Sequence, residues 1–513
     1  MSESRPNVLV IMADQLPPHV LGAYGHPQVK TPYIDALAEQ GVVFENAYTN
    51  FPLCVPARMS MLTGRLAHHI DCWDNAMELP ARIPTVAHYM RAAGYDAILA
   101  GKMHFIGPDQ LHGFSQRVVT DIYPSSFAWT PDWVKGERYR PTGINMRAVV
   151  DAGTCVRSLQ MDYDDEVEHL GIQKIYDLAR FAERPFFLTV SFTHPHSPFM
   201  THQRHWDLYR HDEIVMPRVA PIEVEALDTM SRWLHYAHAA DKHTITEEHV
   251  RTARHAYYGM CSYVDDKVGR IMSAMHETGL LDRTLVVFCS DHGEMLGERG
   301  MWYKQSFFEW SCRVPLIAHF PASFAARRID APVSLVDLVP TLLDLAHDGR
   351  PFETAAPLDG MSLTRLMGGA RDPGAAPAEV ISEYTGEGVC APCRMIRRGP
   401  YKYVYTHGHP PMLFDLDRDP DELRDIAGQP EASAIESELH SALLAGWDPE
   451  HVNRQCLQSQ KERLFIHGAT DGEPNWAFRA RPDDGSRYVR NASAIGTKLK
   501  ARYPFVEPTP FER

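Results

Sequence analysis

Four short apolar runs in the first 300 residues each lead directly into side chains that can do chemistry. Val8-Leu9-Val10-Ile11-Met12 precedes Asp14-Gln15, and Asp96-Ala97-Ile98-Leu99-Ala100 precedes Lys102 and His104. Residues 185–192 precede His194 and His196, and residues 284–289 precede Asp291-His292. Runs this short and this rich in branched residues predict buried strands. Between them lie stretches with apolar residues at helical spacing, among them residues 32–40, ended by Gly41, and residues 247–279. Strands alternating with helices predict an α/β chain, a sheet covered by helices on both faces. A further strand is expected over residues 314–319. Ligands of such sheets bind beyond the carboxyl ends of the strands, so these polar groups are expected to share one rim. Any one of them alone is explained as a solvated residue at a strand end; four together are not.

A chain of 513 residues exceeds one ordinary domain. We expect a catalytic α/β domain over 1–370 and a smaller α+β subdomain over 371–480, entered through the Gly-, Ala- and Pro-rich stretch 368–377. Short strand-like pieces at 380–384, 393–397 and 402–405 predict a small antiparallel sheet there. Residues 481–513 lack periodicity and are expected to form an extended tail docking on a neighbouring subunit. With 51 basic against 66 acidic residues the formal charge is −15, which excludes nucleic acid and anionic membrane as main partners. An anionic substrate therefore needs a locally basic pocket. The amino-terminal residues carry no basic, signal-like start and no apolar run reaches membrane-spanning length, so no membrane association is expected. Nine cysteines at scattered spacings do not form a disulfide framework, which points to the cytoplasm.

Asp14-Gln15 and Asp291-His292 offer carboxylate, amide and imidazole donors for one divalent cation. Such a set favours a hard ion, Ca²⁺ or Mn²⁺ with Mg²⁺ a third choice, and the imidazole favours Mn²⁺. Cys54 stands in Leu53-Cys54-Val55-Pro56-Ala57-Arg58, followed by Thr63-Gly64-Arg65. A cysteine so placed is a buried small residue or a nucleophile. Cys390-Ala391-Pro392-Cys393-Arg394 repeats the same C-x-P-x-R spacing, but no Thr-Gly-Arg follows it. The short pattern thus arises by chance, and the extended one at Cys54 is far more specific.

At these residues the chain resembles the type I sulfatases. Their C-x-P-x-R motif with a downstream T-G-R directs oxidation of the cysteine to formylglycine. The resemblance extends through Gly101-Lys102-Met103-His104, Thr193-His194-Pro195-His196, Ser290-Asp291-His292-Gly293, Lys304 and Leu413-Phe414-Asp415-Leu416. It implies an alkaline-phosphatase-like mixed sheet, a maturation enzyme that generates the formylglycine from Cys54, and a small-molecule sulfate ester as substrate. It also implies roles. Asp14, Gln15, Asp291, His292 and residue 54 would hold the metal. Arg58 would hold the nucleophile, with Lys102 and Lys304 around the sulfate. His196 would protonate the leaving oxygen, and His104 would act as base; His194 is expected to be structural.

Residues 107–114, Thr120-Asp121-Ile122-Tyr123-Pro124 and Met295-Leu296-Gly297-Glu298-Arg299-Gly300 are similar to choline sulfatases in particular. So is Arg487-Tyr488-Val489-Arg490-Asn491. That resemblance implies a small alkyl ester, choline-O-sulfate, bound through Trp129 and Glu387, in a homodimer or homotetramer. Trp129 read alone is equally a packed core aromatic. Two stretches depart from the subfamily: residues 141–145 lack its aromatics and histidine, and residues 493–498 lack its tail acid. Aryl sulfates, and phosphonate monoesters or phosphodiesters, are therefore the alternative substrates. A non-catalytic binding or redox protein in which Cys54 stays a thiol is the rival of another class.

Overall fold

The computed structural model of the chain describes residues 5–140, 143–371, 374–470 and 476. In chain order its main elements begin with β1 (Asn7–Ala13), α1 (Pro32–Gln40), β2 (Val42–Phe44), α2 (Cys54–Thr63) and α3 (Val86–Ala92). There follow β3 (Asp96–Gly101), β4 (Gln116–Arg117), α4 (Leu159–Phe181), β5 (Phe186–Ser191), α5 (Glu247–Glu277) and β6 (Thr284–Ser290). β7 (Leu316–His319), β8 (Arg327–Ile329) and α6 (Leu338–Ala346) complete the larger part. The smaller part holds β9 (Val380–Tyr384), β10 (Cys393–Arg398), β11 (Tyr401–Thr406), β12 (Met412–Asp415), α7 (Ser433–Leu444) and α8 (Pro449–Ala469).

The large sheet has the order β8-β2-β7-β6-β1-β5-β3-β4. β1 lies at its centre, parallel to both β5 and β6, with every residue buried. β7 is antiparallel to both of its neighbours, which makes the sheet mixed. Alternation sets the two faces. Leu9, Ile11 and Ala13 of β1, with Leu188 and Val190 of β5 and Phe288 of β6, join Val167, Ile175, Tyr257 and Ile271 of α4 and α5 in the main core. Val8, Val10 and Met12 point the other way and are equally buried. α2, α3 and α6 pack among themselves on that side, α3 against β3.

The strand expected over 314–319 is shorter than read. Residues 313–314 form a separate two-residue strand paired with 47–48, and β7 starts only at Leu316. Pro315 between them has no N–H to continue the ladder. The second sheet is antiparallel throughout, β9-β10-β11-β12, and α7 packs on β10 and β11. Cys393 opens β10 and lies buried in the core, so the second C-x-P-x-R pattern is part of a sheet. Among the described residues no helix is long and apolar enough to cross a membrane. The tail expected over 481–513, with both motifs read in it, lies outside the described residues, as do Pro141 and Thr142.

Candidate active site

Cys54 is the first residue of α2, so its side chain sits at the positive end of the helix. Pro56 falls in the first turn, where a missing N–H costs nothing because no acceptor exists for it. Arg58 is four residues on and shares the face of Cys54. Gly64 of Thr63-Gly64-Arg65 closes the helix in the left-handed conformation, φ 67°. The extended motif is thus a helix with both ends specified.

The ends of β1 and β6 meet this face. Asp14 follows β1, Asp291 and His292 follow β6, and the two strands run side by side in parallel. One ligand atom from each of Asp14, Cys54, Asp291 and His292 lies within 4.8 Å of all the others, and all four residues are buried. Cys54 Sγ is 3.2 Å from His292 Nε2 and 4.0 Å from Asp14 Oδ1. Arg58 spans the two carboxylates, donating from Nη2 to Asp14 at 2.8 Å and from Nε to Asp291 at 2.9 Å. Lys102 also pairs with Asp14 and lies 3.9 Å from the sulfur.

Buried charges persist only when paired, and here each is. Burial alone would raise the Asp14 carboxyl, but Lys102 and Arg58 hold it well below the usual range. Those carboxylates in turn raise Arg58 and Lys102 despite their burial. Burial, with Asp14 adding to it, pushes the Cys54 thiol up to about 11, so the unmodified side chain is a protonated sulfur. Burial brings the His292 imidazole down to about 4, leaving it a neutral ligand. Two carboxylates and a neutral imidazole in this spacing fit one divalent cation. The protonated sulfur is the mismatched donor in an otherwise hard set.

Gln15 and His104 both occupy the left-handed region, with φ 65° and 61°. The backbone N–H of Gln15 donates to Asp291 and that of His104 to Asp121, which holds these turns. The side-chain oxygen of Gln15 accepts from Lys304 at 2.5 Å. Lys304 also contacts His196 Nε2 at 2.8 Å. Burial and Lys102 bring the His104 imidazole down to about 3, so it is neutral. Burial and Lys304 likewise keep His196 well below its usual range.

These groups open onto a cleft of about 440 Å³ whose lining includes Cys54, His104, Trp129, His196, Lys304 and Glu387. The Trp129 ring is 5.4 Å from His104 and 5.3 Å from Tyr123, edge-on to both. Trp129 is therefore a cleft wall rather than a core aromatic. Burial, with Asp74 nearby, pushes the Glu387 carboxyl up to about 7. All twelve residues singled out from sequence lie in or around this one region. His194 turns away: its Nδ1 meets Asp164 at 2.7 Å, and the same carboxylate accepts the Thr193 and His194 amides.

Sequence reasoning missed Asn75 and Tyr123. Asn75 Oδ1 accepts the Val55 amide at the start of α2, and its Nδ2 donates to Glu387 at 2.9 Å. No spacing links Asn75 to either partner, so nothing local signals it. Tyr123 lies in a segment that carried the subfamily resemblance; its ring sits 4.3 Å from the Lys102 ammonium and its hydroxyl 3.4 Å from His196 Nδ1.

A family model described as Sulfatase matches residues 6–348, and one described as N-sulphoglucosamine sulphohydrolase, C-terminal, matches residues 297–447. The choline-sulfatase of Rhizobium meliloti (strain 1021) is 40% identical over 98% of this chain and 99% of that protein. Arylsulfatase K of Danio rerio is 33% identical over 83% of this chain and 81% of that protein. Among solved structures, the phosphonate monoester hydrolase of Agrobacterium radiobacter superposes with a TM-score of 0.69 at 27% identity, covering 88% of this chain and 96% of that one. With a family match over two thirds of its length and a near-full-length relative at 40% identity, this chain belongs to the sulfatase family and is a sulfuric ester hydrolase of alkaline-phosphatase-like fold.

Proposed function

We propose that this sulfatase hydrolyses a small alkyl sulfate of a cationic alcohol, choline-O-sulfate, using a formylglycine made from Cys54 and one divalent ion held by Asp14, Asp291, His292, Gln15 and residue 54. The observation that carries the substrate is the cleft itself. An aromatic wall of Trp129 and Tyr123 lines it together with a buried carboxyl at Glu387, the pairing that attracts a quaternary ammonium. The 40% identity to a choline-sulfatase supports the same reading. The mismatched sulfur among hard donors supports conversion of Cys54, because an oxygen at that position completes the set. The reading also carries a maturation enzyme acting on Cys54.

When bound, the ion and the hydrated aldehyde supply an acidified oxygen nucleophile for attack at sulfur. The chain's own residues do the rest. Arg58 holds the Asp14 and Asp291 carboxylates in place. Lys102 and Lys304 neutralise the sulfate oxygens with charges set in advance, and they are the local basic pocket that so acidic a chain requires. His196 delivers a proton from Nε2 to the leaving alkoxide oxygen, and neutral His104 accepts the proton released as sulfate departs.

Mass spectrometry of the peptide bearing Cys54 tests the nucleophile; a thiol persisting in active enzyme would overturn it. Comparing kcat/KM for choline-O-sulfate, an aryl sulfate and a phosphonate monoester tests the substrate. We expect the choline ester to lead, and parity with the aryl ester refutes the choline assignment. A phosphonate monoester is the second reading, favoured by the likeness to the Agrobacterium enzyme.

A further inference from the structure

α8 lies beyond residue 447, outside both stretches matched to the family. Its buried residues are Val452, Cys456, Gln460 and Arg463, spaced four, four and three apart, so they form one stripe. The first half of the stripe is ordinary core: Val452 and Cys456 join Trp73, Trp133, Tyr384 and Val389 in a hydrophobic cluster. The second half is polar, yet Gln460 and Arg463 are only 3% and 5% exposed. Arg463 closes on Asp74 with two parallel bonds of 2.5 and 2.6 Å, and Asp74 is wholly buried. The same guanidinium reaches Thr130 Oγ1 at 3.4 Å, and Gln460 accepts the Trp133 amide at 3.0 Å.

Each of these anchors adjoins the cleft. Asp74 precedes Asn75, which bonds Glu387. Thr130 follows Trp129. Trp133 Nε1 donates to the carbonyl of Gly386, the residue before Glu387, at 3.3 Å. None of the four stripe residues lines the cleft, and none is bonded to Lys102, Lys304 or the cation cluster. A buried ion pair of this kind contributes little net stability, because desolvation offsets its attraction. Bidentate guanidinium–carboxylate geometry instead fixes orientation.

We infer that Gln460 and Arg463 of α8 are positioning residues that set the alcohol-side wall of the cleft, Trp129 and Glu387, and hence the enzyme's choice of sulfate ester. The inference rests on the proposed division of the cleft into a sulfate side and an alcohol side. On this view the wall itself lies inside the family matches, and the carboxy-terminal helix outside them fixes where that wall stands.

The test uses the full-length mature enzyme and two readouts: KM for the ester it turns over best, and the inhibition constant of inorganic sulfate, which occupies only the sulfate side. Arg463→Gln is expected to raise KM roughly tenfold, the effect of one lost positioning interaction, and to leave sulfate inhibition within about twofold. Arg463→Lys should recover only part of the loss, because one ammonium cannot reproduce two parallel bonds. Gln460→Leu should give the same split, more weakly. Should Arg463→Gln fail to fold because Asp74 is left unpaired, the double variant Asp74→Asn/Arg463→Gln removes both charges and should show the split instead. A parallel rise in KM and in the sulfate constant, or an unchanged KM in a folded variant, overturns the inference. The wild type's preference between choline-O-sulfate and an aryl sulfate judges the substrate proposal separately, since the α8 test reads whichever ester is preferred.

Discussion

The Lys304 ammonium lies 2.8 Å from His196 Nε2, while the other ring nitrogen of His196 is 2.7 Å from the Ser197 carbonyl. The carbonyl can only accept, so Nδ1 carries the hydrogen and Nε2 presents its lone pair to Lys304. Burial and Lys304 keep this imidazole neutral at rest, so His196 has to take up a proton before it can act as the acid proposed above.

That arrangement makes His196 matter in proportion to the basicity of the leaving oxygen. His196→Ala should lower kcat/KM for an alkyl sulfate by about 10²–10⁴, the range of general-acid contributions, and for an activated aryl sulfate by far less. Steady-state kinetics on the two esters measure the difference. Equal losses would remove His196 from the role of acid.

Glu387 predicts a pH dependence with a definite sign. Burial, then Asp74, raises its carboxyl to about 7, so the group is neutral below that pH and a carboxylate above it. KM for the sulfate of a cationic alcohol should therefore fall as pH rises through about 7, and KM for an aryl sulfate, which has no cationic group, should not follow. The linked effect on folding runs the other way. The native state keeps this proton above the ordinary value of about 4.3, so the group's contribution is full below that pH and is lost as pH rises through about 7. Glu387→Gln should flatten both profiles, read by kinetics and by denaturant unfolding.

Chelation should separate activity from folding. Arg58 and Lys102 already compensate Asp14 and Asp291, so loss of the ion does not leave bare carboxylates in the core. Treatment with a chelator should abolish turnover while lowering Tm only by the ion's binding contribution, and Ca²⁺ or Mn²⁺ should restore both. Unfolding on chelation would show that the basic pair does not suffice.

Gly64 is the conformational weak point of the Thr63-Gly64-Arg65 turn. Its φ of 67° disfavours any side chain, and a Cβ there would come within 2.9 Å of Val339 Cβ. Gly64→Ala should therefore lower unfolding free energy by about 1–3 kcal/mol, the usual magnitude for a strained left-handed residue, measured by urea titration.

Local pattern was enough to expose the sheet and its chemistry. Apolar runs such as 8–12 and 284–289 read as buried strands by their length and branched residues, and each carried its own polar terminus. Parallel β1 and β6 therefore had to bring Asp14 and Asp291 together once they paired. The C-x-P-x-R and T-G-R elements were legible as a motif through their resemblance to the sulfatases. The structure adds that they form one helix with the proline in its first turn and the glycine at its end. Tertiary structure alone decided which partners these groups meet. Asn75 bonds a residue 312 positions away, Arg463 one 389 positions away, and Tyr123 lies against Lys102 through the packing of a loop with no period. Such contacts depend on where loops and a carboxy-terminal helix come to rest on the finished sheet, and no local spacing records that. The residues that meet in the Asp14, Cys54, Asp291 and His292 cluster were thus marked along the chain, whereas the cleft wall of Trp129 and Glu387 exists only once the chain has folded.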